Sequence, residues 1–154
     1  MFHEFNDGKK GTVMLDHISF SVKDFEQSVK FYDETLKILG FERLMTFETD
    51  DHRVVGYGVN GRPSLWIGVE TNPNLKEDVG RTRGFHVAFQ APNIKAIHTW
   101  HQKCLDLGGM DNGLPGIRPE YHPGYYGAFI IDPNGYRIEA ALHHFQSDSE
   151  KGHL

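Results

Sequence analysis

Two stretches of the chain alternate apolar with polar residues, and each leads into an amphipathic segment. In the first, Ile18, Phe20 and Val22 alternate with His17, Ser19 and Ser21. In the second, Phe85, Val87 and Phe89 alternate with His86, Ala88 and Gln90. A period of two predicts a strand with one packed face, and the other face carries a histidine in both cases. A helix should follow each strand. Asp24 suits the N-cap, with Gln27 three residues on completing a capping box. Phe25, Val29, Tyr32, Leu36 and Leu39 then recur at helical spacing, and Gly40 suits the left-handed position after the helix. The second helix should start at Asn93, carry Ile94, Ile97, Trp100 or His101, and Leu105, and end at Gly108 and Gly109.

The two stretches are copies of one unit. A shift of 69 positions lays His17 on His86, Phe20 on Phe89, Leu36 on Leu105 and Gly40 on Gly109. Ile18 meets Val87, Asp24 meets Asn93 and Phe31 meets Trp100, so physical roles agree where identities do not. After each helix, strand patterns return in pairs. Residues 54–59 and 65–69 flank Asn60-Gly61, a strong hairpin signal. Residues 126–131 and 136–142 flank Asp132-Pro133-Asn134-Gly135, which suits a type I turn. Each half thus reads as strand, helix and strand meander. Residues 71–83 are polar and read as a linker. Residues 108–124 are rich in Gly and Pro and read as a long loop, of a length often tied to function. The expected organisation is one domain over residues 14–144. Module one spans 14–70 and module two 84–144, with flexible tails at 1–13 and 145–154. Met14 could itself be the natural start.

Composition narrows the class. The chain has 154 residues, 38% apolar and 24% charged, as in ordinary globular proteins. No apolar run approaches the roughly 18 residues of a membrane span. A net charge of −5 argues against a nucleic-acid surface. A single cysteine, Cys104, and an N-terminus without an apolar core argue against secretion. The expectation is a cytoplasmic protein acting on a small molecule, with no nucleic-acid or membrane partner.

The polar face is where chemistry would sit. His17 and His86 share one register in equivalent strands. Arg137, Glu139 and Ala141 alternate with Tyr136, Ile138 and Ala140, so Glu139 lies on the face away from the core. If the halves pack about a pseudo-twofold, His17, His86 and Glu139 could converge. Two imidazoles and one carboxylate suit non-haem iron(II) or catalytic zinc, with positions left open for substrate.

The segments beginning at Leu15 (LDHISFSVKDFEQSVKFYDETLKILGFE), at Gly84 (GFHVAF) and at Ala128 (AFIIDPNGYRIEA) resemble the vicinal oxygen chelate superfamily. This group includes glyoxalase I, extradiol dioxygenases, fosfomycin thiol transferases and bleomycin-binding proteins. The resemblance implies an α+β fold of two βαβββ modules, forming a cupped, mostly antiparallel sheet around a divalent metal. It assigns His17, His86 and Glu139 as metal ligands, the metal being Fe, Zn, Ni, Mn or Co. It also implies a homodimer. The fourth ligand position departs from the pattern, because Trp66 stands where glyoxalases usually have a glutamate. Glu70, the other carboxylate nearby, reads as a solvated strand-end residue. Extradiol dioxygenases typically carry a tyrosine ten residues before the last glutamate; here that residue is Phe129.

Residues 118–127 (RPEYHPGYYG) precede a strand that should border the cup. His122 is the first choice as an acid–base group alongside Glu139, since imidazole suits proton transfer near neutrality. Arg118, Tyr121 and Tyr126 are candidate substrate contacts, and Trp66 a candidate aromatic wall. Arg53, Arg62 and Arg137 could contact an anionic group but read first as solvated, and His52, His98, His101 and His153 read as surface or helix-face residues. Cys104 reads as buried and structural. No phosphate-binding glycine motif or nucleophile elbow is present. Three functions follow: a metal-dependent glyoxalase-like lyase or isomerase stabilising an enediolate, an iron(II) ring-cleaving dioxygenase, or a binding protein that sequesters a small molecule. The first is the leading expectation.

Overall fold

A computed structural model of the chain describes residues 17–50, 52–70 and 85–143, with Glu70 described by its backbone only. The linker and both tails expected above lie outside the described residues. Ten elements run in order. β1 (Ile18–Ser21), α1 (Phe25–Ile38), β2 (Glu42–Glu48), β3 (His52–Val59) and β4 (Arg62–Glu70) form the first module. β5 (Val87–Gln90), α2 (Ile94–Asp106), β6 (Met110–Ile117), β7 (Tyr126–Ile131) and β8 (Arg137–Leu142) form the second. This is the expected α+β arrangement of two βαβββ modules.

The strands make two mixed four-stranded sheets, ordered β1-β4-β3-β2 and β5-β8-β7-β6. In each, the first strand runs parallel to the last and the other neighbours are antiparallel. Both helices are capped as their sequences dictate. Asp24 accepts from the Gln27 amide at 3.0 Å, and Asn93 from the Ala96 amide at 2.8 Å. Gly40 takes the left-handed conformation after α1, with φ 90°. After α2 that conformation falls on Gly108, with φ 91°, one residue earlier than a constant offset implies. α2 has 13 residues against 14 in α1.

Two strands escaped the sequence pattern. β2 is exposed on both faces for most of its length, so it has no clear alternation. β6 contains Gly113, Pro115 and Gly116 and pairs with β7 through two register irregularities. Both are edge strands, where proline and broken pairing are tolerated. Residues 110–117 of the expected loop over 108–124 are therefore strand, and the true loop is residues 118–125. His101, read as surface or helix-face, is 4% exposed and bonds Asp111 on β6 at 2.9 Å. That bond holds the Asp111 carboxyl below its ordinary range, with help from the Gly113 amide.

One core serves both modules. Phe31, Tyr32, Leu36, Val55 and Ile67 from the first pack in one cluster with Ile97, Trp100, Ile130 and Ile138 from the second. Cys104 is fully buried in it, and burial pushes its thiol well above the ordinary range, consistent with an inert role. The β7–β8 turn ties the modules further. Asp132 is 2% exposed and accepts from Tyr32 Oη of α1 at 2.7 Å, and from the amides of Asn134 and Tyr136. Asn134 accepts from the Lys23 amide at 2.8 Å and donates to Ser28 Oγ at 3.1 Å. Tyr136 Oη reaches back to the Ser21 carbonyl at 2.8 Å.

Candidate functional site

The parallel pairing of first and last strand positions the candidate residues. In module two, Ala88 of β5 stands opposite Glu139 of β8, and His86 lies two residues before Ala88 on the same face. His86 Nε2 is 3.5 Å from Glu139 Oε2. Glu139 is only 3% exposed, and its Oε1 accepts a short hydrogen bond from Tyr125 Oη. Burial and the Glu139 carboxylate push the Tyr125 phenol well above its ordinary range. Tyr125 therefore stays protonated near neutrality and acts as a donor. Gly127 makes the approach possible, because a Cβ there would lie 3.1 Å from Glu139 Oε1 and 3.2 Å from the Tyr125 ring.

A cavity of about 470 Å³ opens over this group. Phe85, Tyr121, Tyr125 and Phe129 give it aromatic walls, and Asn112, Arg137, His86 and Glu139 give it polar groups. This volume suits a small organic ligand. Tyr121 is 58% exposed and packs edge-on against Tyr125 at 5.1 Å.

The other candidates stand elsewhere. His17 is exposed, immediately before β1, and among the described residues no three His, Cys, Asp or Glu side chains gather into a metal-holding group. The structure brings His86 and Glu139 together without His17. Trp66 stands opposite Ser19, the register place that Glu139 holds opposite Ala88. It stacks on Phe47 at 6.0 Å in module one and does not line the cavity. Tyr126 turns toward α2, where its hydroxyl meets His98 Nε2 at 2.8 Å. Arg118 bonds the Leu114 and Ile117 carbonyls, with its guanidinium 5.5 Å from the Phe129 ring centroid. His122 Nδ1 donates to the Pro123 carbonyl at 2.8 Å, and its Nε2 meets His143 Nδ1 at 3.0 Å. It touches the Tyr125 ring edge-on at 5.3 Å but is not part of the cavity wall.

Tyr125 stood in the sequence only as one of the loop side chains, and Arg137 as a mainly solvated residue; strand parity carried part of the missing signal. Tyr126, Ala128 and Ile130 share the parity of the buried face, which leaves Tyr125, Gly127 and Phe129 facing Glu139. Arg137 likewise shares the parity of Glu139.

A protein-family model described as Glyoxalase/Bleomycin resistance protein/Dioxygenase superfamily matches residues 14–140. A glyoxalase/bleomycin resistance protein from Albidiferax ferrireducens T118 has a similar structure, with 25% identity and a TM-score of 0.66 over 84% of this chain and 98% of that one. A glyoxylase/bleomycin resistance protein/dioxygenase domain from Frankia sp. EAN1pec aligns at 18% identity and TM-score 0.64, covering 88% and 99%. Glyoxalase I from Zea mays shares the fold at 19% identity and TM-score 0.64, where 81% of this chain matches 44% of that one.

Proposed function

Because the chain belongs to the Glyoxalase/Bleomycin resistance protein/Dioxygenase superfamily, we propose that it is a metal-dependent, glyoxalase-like lyase or isomerase acting on a small oxygen-chelating substrate. The observation that carries this reading is the Glu139 carboxylate. A carboxylate 3% exposed is costly to bury unless its charge is answered. Its partners are one neutral phenol and an imidazole at 3.5 Å, so a divalent cation would supply the missing charge. Nitrogen and oxygen donors together suit iron, zinc, nickel, manganese or cobalt.

In this reading His86 and Glu139 would hold the ion; His17, expected as the third donor, does not line this cavity. A divalent ion bound there would supply Lewis-acid polarisation of substrate oxygens. Tyr125 keeps its proton and fixes Glu139 Oε1, which leaves Oε2 to bind or to take a proton. The acid–base role expected of His122 would act from outside the cavity wall, where its ring meets the Tyr125 ring edge-on. The aromatic walls hold the substrate body and exclude water. Exposed apolar residues on the two edge strands support a homodimer: Met45 and Phe47 on β2, and Met110, Leu114 and Ile117 on β6. Among the described residues no helix is long and apolar enough to cross a membrane.

The test is the metal content of tag-free protein purified anaerobically, with His86→Ala and Glu139→Ala alongside. The expected result is a stoichiometric divalent metal that both substitutions remove. Iron would favour ring-cleaving dioxygenase chemistry, although Phe129 stands directly opposite Glu139 where that chemistry usually has a tyrosine. A cavity whose lining includes His86 and Glu139 but not His17 favours a second reading, a binding protein without turnover. Wild type that takes up no metal after reconstitution would establish that second reading over the first.

A further inference from the structure

Arg137 is an unanswered charge in the cavity wall. Arg43 pairs with Asp33, Arg53 with Glu26, Arg118 with backbone carbonyls, and Arg62 has a partner of its own. The Arg137 side chain alone among the described arginines has neither hydrogen bond nor ion pair, and it lines the cavity. It lies two residues before Glu139 on the same strand face, which separates their Cβ atoms by about 7 Å. Asn112 adds an amide across the cavity, and Phe85, Tyr121 and Phe129 supply flat apolar walls.

We propose that Arg137 is the anchor for a substrate carboxylate, and that the ligand of this cavity is a small carboxylic acid with a flat or apolar body. A guanidinium fork matches a planar carboxylate in two parallel hydrogen bonds. A phosphate dianion would call for more than the one guanidinium that lines this cavity. The strand spacing then sets the geometry. With its carboxylate on Arg137, the ligand presents atoms about 7 Å further along β8 to His86 and Glu139. The inference deepens the proposed function and rests on this cavity being the ligand site, but it does not need a metal to be tested.

The probe is phenylacetate against its neutral isostere phenylacetamide, titrated by saturation-transfer NMR into EDTA-treated protein at low ionic strength. Wild type should bind the acid at least ten-fold tighter than the amide. Arg137→Met should erase that preference and Arg137→Lys should keep part of it. Equal binding of acid and amide by wild type would overturn the inference, whether or not the variants fold. Tighter binding of phenyl phosphate than of phenylacetate would overturn the carboxylate assignment. Metal uptake is measured on the same samples by dialysis against zinc. A kept acid preference without zinc uptake supports this inference and removes the metal reading. Zinc uptake without an acid preference does the reverse.

Discussion

The two modules share a strand order, a capped helix and a core, yet they fill one equivalent position in opposite ways. In module one, Trp66 of β4 pairs with Gly56 of β3, and a Cβ on Gly56 would sit 2.7 Å from the Trp66 ring. In module two, Glu139 of β8 pairs with Phe129 of β7. The aromatic bulk thus comes from the last strand in one module and from its neighbour in the other. Where the aromatic group comes from the neighbour, the last strand is free to present a carboxylate. Gly127 and Tyr125 then complete the pocket for it. Module one keeps an aromatic pair, Trp66 on Phe47, at the place where module two carries titratable groups. One architecture therefore supports a polar cavity and an apolar face with few changes in side chain.

The contrast can be tested from the strongest effect down. The hairpin turns differ most: Asp132 is buried against α1, whereas Asn60 turns in solvent in the left-handed conformation, with φ 52°. Asp132→Ala should cost about 3 kcal/mol or more, because Tyr32 Oη and two amides lose their acceptor. Asn60→Ala should cost about 1 kcal/mol, the strain of a left-handed alanine. Denaturant midpoints would separate the two, and equal costs would break the comparison. Next, Tyr125→Phe should weaken the proposed metal binding about ten-fold or more and cost about 1 kcal/mol or more of stability, because a buried Glu139 oxygen loses its donor. A calorimetric metal titration reads this directly. Trp66→Ala should cost about 2 kcal/mol of stability and leave metal content untouched; a loss of metal would show that module one contributes to the site after all.

The smallest effect is at acid pH. Asp111 has a folded pKa below its ordinary value, so its stabilising contribution is present above about pH 4 and is lost as pH falls through the folded value. Asp111→Asn should therefore flatten the fall in stability between pH 4 and pH 2, as measured by thermal melts. An unchanged slope would remove His101 and Asp111 from the acid response.

Much of this was legible in the residues. The 69-residue shift, the capping residues Asp24 and Asn93, and the alternation of β1, β5 and β8 each report a local rule that the tertiary structure obeys. The substitution of Trp66 for a carboxylate was visible for the same reason. What escaped was non-local. β2 and β6 are edge strands whose patterns carry little burial information. The shift changes along the chain, because α2 is one residue shorter and the second hairpin is longer. His101 looked solvated because its partner, Asp111, lies in a strand that did not look like one. Tyr125 and Arg137 matter through neighbours that only strand pairing supplies.

The β7–β8 turn has a consequence for how the chain comes apart. Its carboxylate and amide complete hydrogen bonds that begin on the other module's helix, so neither half can open without stranding polar groups in the half that stays closed. Slow amide exchange should consequently be shared, with protons in α1 and β8 released in the same opening event. A duplicated architecture that looks divisible on the page would behave as one foldon.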